Sequence, residues 1–387
     1  MSGNVVRQPG GSVKASGREL EIRLVQAGDD EHRLPALLDI ALEHAGAFRN
    51  REGLRAAREA LEIARRNHDA LGIGRALSVA TLCHYQRADY VAAVATGIDA
   101  IEAYADGDVA GRSRAEQSIA LALFSVEAFE LAETMAHRAV DDARYAGDRE
   151  REAYSCVVFG VILADRGRFN AARRQFRVAA AYYREAGDTV RLKKSTSNLG
   201  HTYRKQGNAM ELAGRNGHAR LYWTQALRVY RIAYATARHD ADDAIILGSM
   251  AECECRLGHS EEAFADVSRG IELARRVQSA RVLANCQLWE GYILKDMDQL
   301  DAAEQAFVRA CESAGPLEHD AILATCLHGL AELVEARGPR ERAAQIEERG
   351  RNVSRERESF LARVREELGP LWRRYTERGS GATAHAP

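Results

Sequence analysis

Residues 156–179, CVVFGVILADRGRFNAARRQFRVA, and residues 287–310, QLWEGYILKDMDQLDAAEQAFVRA, decide the fold. In both, a glycine is followed by alanine twelve residues on, phenylalanine four further and alanine three further: Gly160, Ala172, Phe176, Ala179, then Gly291, Ala303, Phe307, Ala310. Small residues at fixed helical offsets let two helices approach closely, and the bulky residues between them fill the remaining space. The same frame runs outward in both directions. Its first small residues are Ala45, Thr81, Ala120, Gly160, Gly200, Ala251, Gly291 and Ala331; its second are Ala57, Ala93, Ala132, Ala172, Ala219, Ala263, Ala303 and Ala343. Seven of the eight pairs keep the offset of twelve. Gly200 and Ala219 stand nineteen apart, so the fifth unit carries about seven extra residues, near 208–217 in GNAMELAGRNGHAR. Markers recur about every forty residues, a period that signals stacked supersecondary units.

Composition agrees. The 387 residues include six prolines, none of them between 36 and 315, and 46% are apolar. Turn-rich β folds use proline as punctuation, whereas Ala, Leu, Glu and Arg in excess favour helix. No apolar run reaches the eighteen residues of a membrane span, and MSGNVVRQPGGSVKASG at the start lacks the apolar core of a secretory signal. Seven scattered cysteines without a CxxC pair read as reduced thiols of a cytoplasmic protein. With 54 Lys plus Arg against 56 Asp plus Glu, the net charge of −2 gives no electrostatic footprint for nucleic acid.

The repeat resembles the tetratricopeptide repeat. Its forty-residue period is similar to the long form found in MalT-like regulators, in peptide-sensing Rap-type proteins and in the sensory halves of some bacterial diguanylate cyclases. The resemblance covers roughly residues 31–350. It implies an all-α fold: a right-handed superhelical array of about eight helix pairs with a charged C-terminal helix. Two departures stand out. The bulky aromatic near the start of the first helix is replaced by Cys156 and Thr196, and the repeat-end proline by links such as AGD at 146–148 and 186–188. The expected layout is a mostly disordered segment at 1–30, with 18–28 as a short helix or cap. The repeat domain follows at 31–338, then a final helix with its C-terminal extension at 339–378, then a disordered tail at 379–387. The insertion in the fifth unit reads either as a lid or as a tolerated loop extension. In the extension, Leu361, Val364, Leu368, Leu371 and Tyr375 step by three and four. That seam either caps the last repeat or docks a partner, a second copy included. Gly369-Pro370 is expected to interrupt it.

Templates for catalysis are absent from the sequence: no GxxxxGK[ST], HExxH or GxSxG. His239-Asp240, with Asp242 and Asp243, falls in an inter-repeat link, and Cys253-Glu-Cys255 places its thiols on different faces of a helix. Neither reads as a metal or redox centre, so no enzyme activity, metal or cofactor is expected. In tetratricopeptide proteins the concave wall is built mainly from the first helix of each pair. Carried onto this frame, that wall offers Arg75, Arg114, Gln117, Phe124, Lys194, Asn198, His201, Arg204, Asn285, Tyr292 and Lys295. Acidic positions follow at Glu252, Glu332 and Glu335. Lys194, Asn198, His201 and Arg204 share one helical face, a pattern suited to a peptide backbone and its carboxylates. The resulting expectation is a scaffold or adaptor of bacterial signalling that binds a peptide or protein segment, with a peptide- or metabolite-responsive sensor as the alternative.

Overall fold

The computed structural model describes residue 24 and residues 29–104, 107–315 and 321–382, with side chains as far as 377. The expected disordered segment at 1–30, with its cap at 18–28, lies almost wholly outside these residues; of the tail expected at 379–387, residues 379–382 fall inside them as the end of the last helix. Sixteen helices and no strand occur among the described residues. They are α1 (Asp30–Gly46), α2 (Asn50–Arg66), α3 (Ala70–Gln86), α4 (Tyr90–Tyr104), α5 (Val109–Ser125), α6 (Phe129–Tyr145), α7 (Arg149–Asp165) and α8 (Phe169–Glu185). These are followed by α9 (Thr189–Leu212), α10 (Asn216–Thr236), α11 (Asp240–Leu257), α12 (Ser260–Arg276), α13 (Ala280–Asp296), α14 (Leu300–Ala314), α15 (Ile322–Ala336) and α16 (Arg340–Ala382). The fold is all-α, built of consecutive helix pairs. Odd-numbered helices are the first of each pair and even-numbered helices the second.

Two compact units divide the chain, Met1–Ala122 and Leu123–Pro387. In the first, α1 to α4 pack in succession and α1 also meets α3. In the second, α7 to α16 do the same, and α7, α9, α11, α13 and α15 form a continuous row. The small-residue frame explains the packing. Every second small residue from Ala93 to Ala303 is fully buried. A Cβ on Gly160 would meet the Phe176 ring at 2.8 Å, and one on Gly291 the Phe307 ring at 2.8 Å. Glycine there is the condition for the second helix to lie against the first.

The links show what replaces the repeat-end proline. Gly147 and Gly187 take the left-handed conformation, each with φ +69°, and reverse the chain after α6 and α8. Asp148 and Asp188 then cap α7 and α9, accepting from the amides of Arg151 and Arg191 at 2.9 Å. His68-Asp69 does the same between α2 and α3 with a non-glycine residue at φ 52°. The three-residue link thus carries both a helix stop and a helix start.

Two expectations need correction. The extra residues of the fifth unit are neither loop nor lid: α9 has 24 residues where α7 has 17, and the turn to α10 is only 213–215. Seven residues are close to two helical turns, so the helix lengthens without rotating its faces. Nor does Pro370 end α16, which runs unbroken through 340–382. The carbonyl left without a donor belongs to Glu366, and both residues are exposed, so water can satisfy it.

Candidate functional site

The row of odd helices in the second unit presents its inner residues from α9, α11 and α13. Two added turns of α9 carry the face of His201 and Arg204 on to Asn208 and Glu211, seven residues later in each case. The four side chains form one polar network with α10 and α11. Arg204 donates to Glu252, which also accepts from the Asn208 amide at 3.0 Å. The Asn208 oxygen accepts from the Trp223 indole at 2.8 Å. Arg256 pairs with Glu211 and stacks over the rings of both Trp223 and Trp289, 5.4 Å from each centroid. Gly207 makes this possible: a Cβ there would sit 2.5 Å from the Trp223 indole.

This arrangement changes the chemistry expected of the basic face. Arg204 is only 15% exposed and Glu252 only 4%. Burial works against the guanidinium charge and the Glu252 carboxylate more than reverses it, so the Arg204 pKa rises. His201 goes the other way. Burial first, then the charges of Arg204, Lys205 and Arg281, push its imidazole well below the usual range. Its Nε2 lies 2.9 Å from the Arg204 guanidinium, which can only donate, and its Nδ1 lies 3.4 Å from the Tyr230 hydroxyl. His201 is therefore a neutral acceptor and Arg204 a spent cation. Of the four clustered residues, only Lys194, exposed, and Asn198, half-buried, keep side chains without an internal partner among the described residues.

The remaining expected residues are dispersed. Asn285 on α13 is exposed and likewise unpartnered, and Lys295 is half-buried. Tyr292 stands edge-to-face against Phe307 at 5.0 Å and beside Trp289 at 5.4 Å. Burial, and secondarily the Glu332 charge, raise its hydroxyl to about 12. Phe124 packs edge-on against Phe129 at 5.9 Å. Arg75, Arg114 and Gln117 belong to the first unit, where Gln117 is buried. Exposed Tyr154 on α7 and Ile245 on α11 add apolar surface to the same row of odd helices that carries Lys194 on α9 and Asn285 on α13. Lys193, next to Lys194, is fully buried. It donates to the Ala237 carbonyl at 2.6 Å and pairs with Asp243.

The seam of α16 is covered by the chain itself. Leu361 and Leu368 are each 2% exposed and Tyr375 8%, with Val364 and Leu371 half-buried. Arg357 pairs with Glu127 at 2.6 Å, and Arg138 stacks over Tyr375 at 5.4 Å. Leu368 and Trp372 share a cleft with Ala128, Phe129 and Leu131. The long helix thus returns from the last pair to α6.

Among the described residues no group of three His, Cys, Asp or Glu side chains could hold a metal ion, and no helix is long and apolar enough to cross a membrane. All seven cysteines are free, and burial raises the thiols of Cys83, to about 11, and Cys156, to about 12.

Residues 23–88, 120–206 and 243–298, together more than half of the chain, match the family described as Anaphase-promoting complex subunit 5. The chain belongs to that family. Solved structures similar to this member of the Anaphase-promoting complex subunit 5 family show the fold. The Rap conjugation gene regulator of plasmid pLS20, in complex with the Phr* peptide, is 17% identical with a TM-score of 0.56, over 87% of this chain and 98% of that one. The apo form of the quorum sensor NprR from B. thuringiensis is 14% identical with a TM-score of 0.59, over 87% and 92%. Aspartyl phosphate phosphatase F from Bacillus subtilis is 14% identical with a TM-score of 0.56, over 87% and 88%. No curated protein matches the chain.

Proposed function

We propose that this protein is a non-enzymatic regulator that binds an extended peptide or protein segment along the odd helices of its second unit. One observation carries the reading: Lys194, Asn198 and Asn285 stand on that row with no internal partner among the described residues, above a polar network that already satisfies Arg204, Glu252 and Asn208. A carboxamide donates and accepts at once, which suits the alternating groups of a peptide backbone. Lys194 supplies a charge for a carboxylate of the ligand, and Tyr154 and Ile245 supply apolar contact. The network beneath holds α9 and α11 in register, so little ordering is left for binding. The Rap regulator's complex with a Phr* peptide supports the same ligand class. The test is a display of random heptapeptides against the full chain, with hits titrated by fluorescence anisotropy. Asn198→Ala and Asn285→Ala should each weaken a selected peptide about tenfold. Unchanged affinity in both would end the proposal.

The sensor reading rests on α16. In this reading α16, which closes back on α6 through Arg357–Glu127 and Arg138–Tyr375, is the element whose position a bound ligand would bias. Peptide-dependent hydrogen exchange at residues 357–377 would favour it over a static scaffold.

A further inference from the structure

The first unit holds a pocket that the peptide reading does not use. It measures about 420 Å³ and opens between α1, α3 and the start of α5, inside the range of about 300–1,000 Å³ usual for small-molecule sites. Its floor is the Tyr104 ring. A Cβ on Gly74 would come within 2.7 Å of that ring and one on Gly111 within 2.6 Å, so two glycines from different helices are what let the ring in. The Tyr104 hydroxyl is fixed by Ser78 at 3.1 Å. Leu38 and Leu42 of α1 and Val79 of α3 give the pocket an apolar wall.

Charge is distributed unevenly around this floor. Arg75 and Asp108 answer each other at 3.7 Å, and Asp108 is held in place by capping the Gly111 amide at 2.8 Å. Arg114 has no such answer. Its guanidinium has no hydrogen-bond or ion-pair partner among the described residues, and its Nε is buried away from water. On the α1 side, Asp39 lines the same pocket and is also unpartnered among the described residues. The pocket therefore offers one free cation, one free carboxylate and apolar surface.

We infer that this pocket binds a free α-amino acid with an apolar side chain, Arg114 taking the carboxylate, Asp39 the ammonium and Leu38, Leu42 and Val79 the side chain. A guanidinium recognises a carboxylate through two parallel N–H···O bonds, and the Nη groups of Arg114 have no protein acceptor among the described residues to give up for such a ligand. A peptide C-terminus carries the carboxylate but no ammonium on the same residue, so Asp39 selects the free amino acid.

Isothermal titration of the full chain tests this with L-leucine and L-phenylalanine, their amides, their N-acetyl derivatives and tripeptides ending in either residue. Saturable binding of a free amino acid is expected, weakened about tenfold or more by blocking either end. Arg114→Gln should lose binding of the free amino acid. Asp39→Asn should weaken the free amino acid and leave the N-acetyl form unchanged. Circular dichroism of both variants separates lost binding from lost folding. No saturation up to about 10 mM, tripeptides binding as well as the amino acid, or an Arg114→Gln chain that folds and binds normally would each overturn the assignment.

Discussion

Arg114 and Arg204 occupy comparable places, each on the first helix of a pair, yet they have opposite fates. Arg204 is spent: Glu252 of the following odd helix takes its charge, and His201 beside it is kept neutral. Arg114 is left with a buried Nε and no partner among the described residues. An inward-facing arginine is thus a structural part or a ligand-binding group depending on what the neighbouring repeat offers. In the second unit the two added turns of α9 bring Asn208 and Glu211 level with Glu252 and Arg256 and close the network.

The largest test of this contrast breaks the closed side. Glu252→Ala leaves Arg204 buried without its counter-charge and Asn208 without its acceptor. It should destabilise the protein by about 3–5 kcal/mol, read from urea unfolding of the full chain. Replacing both partners with apolar residues, Arg204→Met with Glu252→Leu, should recover most of that loss. If the single substitution costs less than about 1 kcal/mol, Arg204 is not committed to the network and the contrast with Arg114 collapses.

A second test uses another buried carboxylate on the same helix. Glu254 is 2% exposed, 3.2 Å from the largely exposed Arg231. Burial, then the nearby Asp266 charge, push its carboxyl up to about 7, with Arg231 pulling the other way. The folded state therefore holds this proton more tightly than the unfolded chain, whose ordinary value is 4.5. Stability from this group is full below pH 4.5 and is lost as pH rises through about 7. Asp266 shifts in the same direction, again through burial. Glu254→Gln should remove roughly 2 kcal/mol of this pH dependence, seen as a flatter plot of unfolding free energy against pH. An identical slope in both proteins would show that the Glu254 carboxyl holds its proton no more tightly in the folded state than in the unfolded chain.

The links give a smaller effect. Asp188→Ala removes the cap that starts α9 and should cost about 1 kcal/mol. The same substitution at Asp148, which starts α7, should cost as much. A much larger loss at Asp188 would mean that the start of α9 and its network melt together.

How much of this was legible in the sequence follows from the range of each signal. Gly160 to Ala172 is an offset within one helix pair, fixed by close packing, so the repeat could be read from one chain. Asp148 and Asp188 act within three residues, and the links were equally local. Arg204 and Glu252 are 48 residues apart, and whether they meet depends on how the faces of α9 and α11 align. The length of the insertion is legible in the sequence but its form is not, because seven residues near two glycines fit a loop as well as two turns of helix. Lys193 and Lys194 show the same limit: adjacent in sequence, one is fully buried on Asp243 and the other exposed, a difference set by the face each occupies.

The smallest expected effect is also the sharpest probe of the comparison. If Arg114 is a waiting ligand group, the fold gains nothing from its charge. Arg114→Gln keeps a donor and most of the side-chain volume, so the unfolding free energy of the full chain should stay within about 0.5 kcal/mol of the parent. The corresponding Arg204→Gln should cost several times more, since Glu252 would remain buried and under-compensated. Equal losses at the two positions would mean that Arg114 also supports the fold and would lose its claim to a ligand. A neutral Arg114→Gln beside a costly Arg204→Gln would instead separate the two roles by stability alone, before any ligand is added.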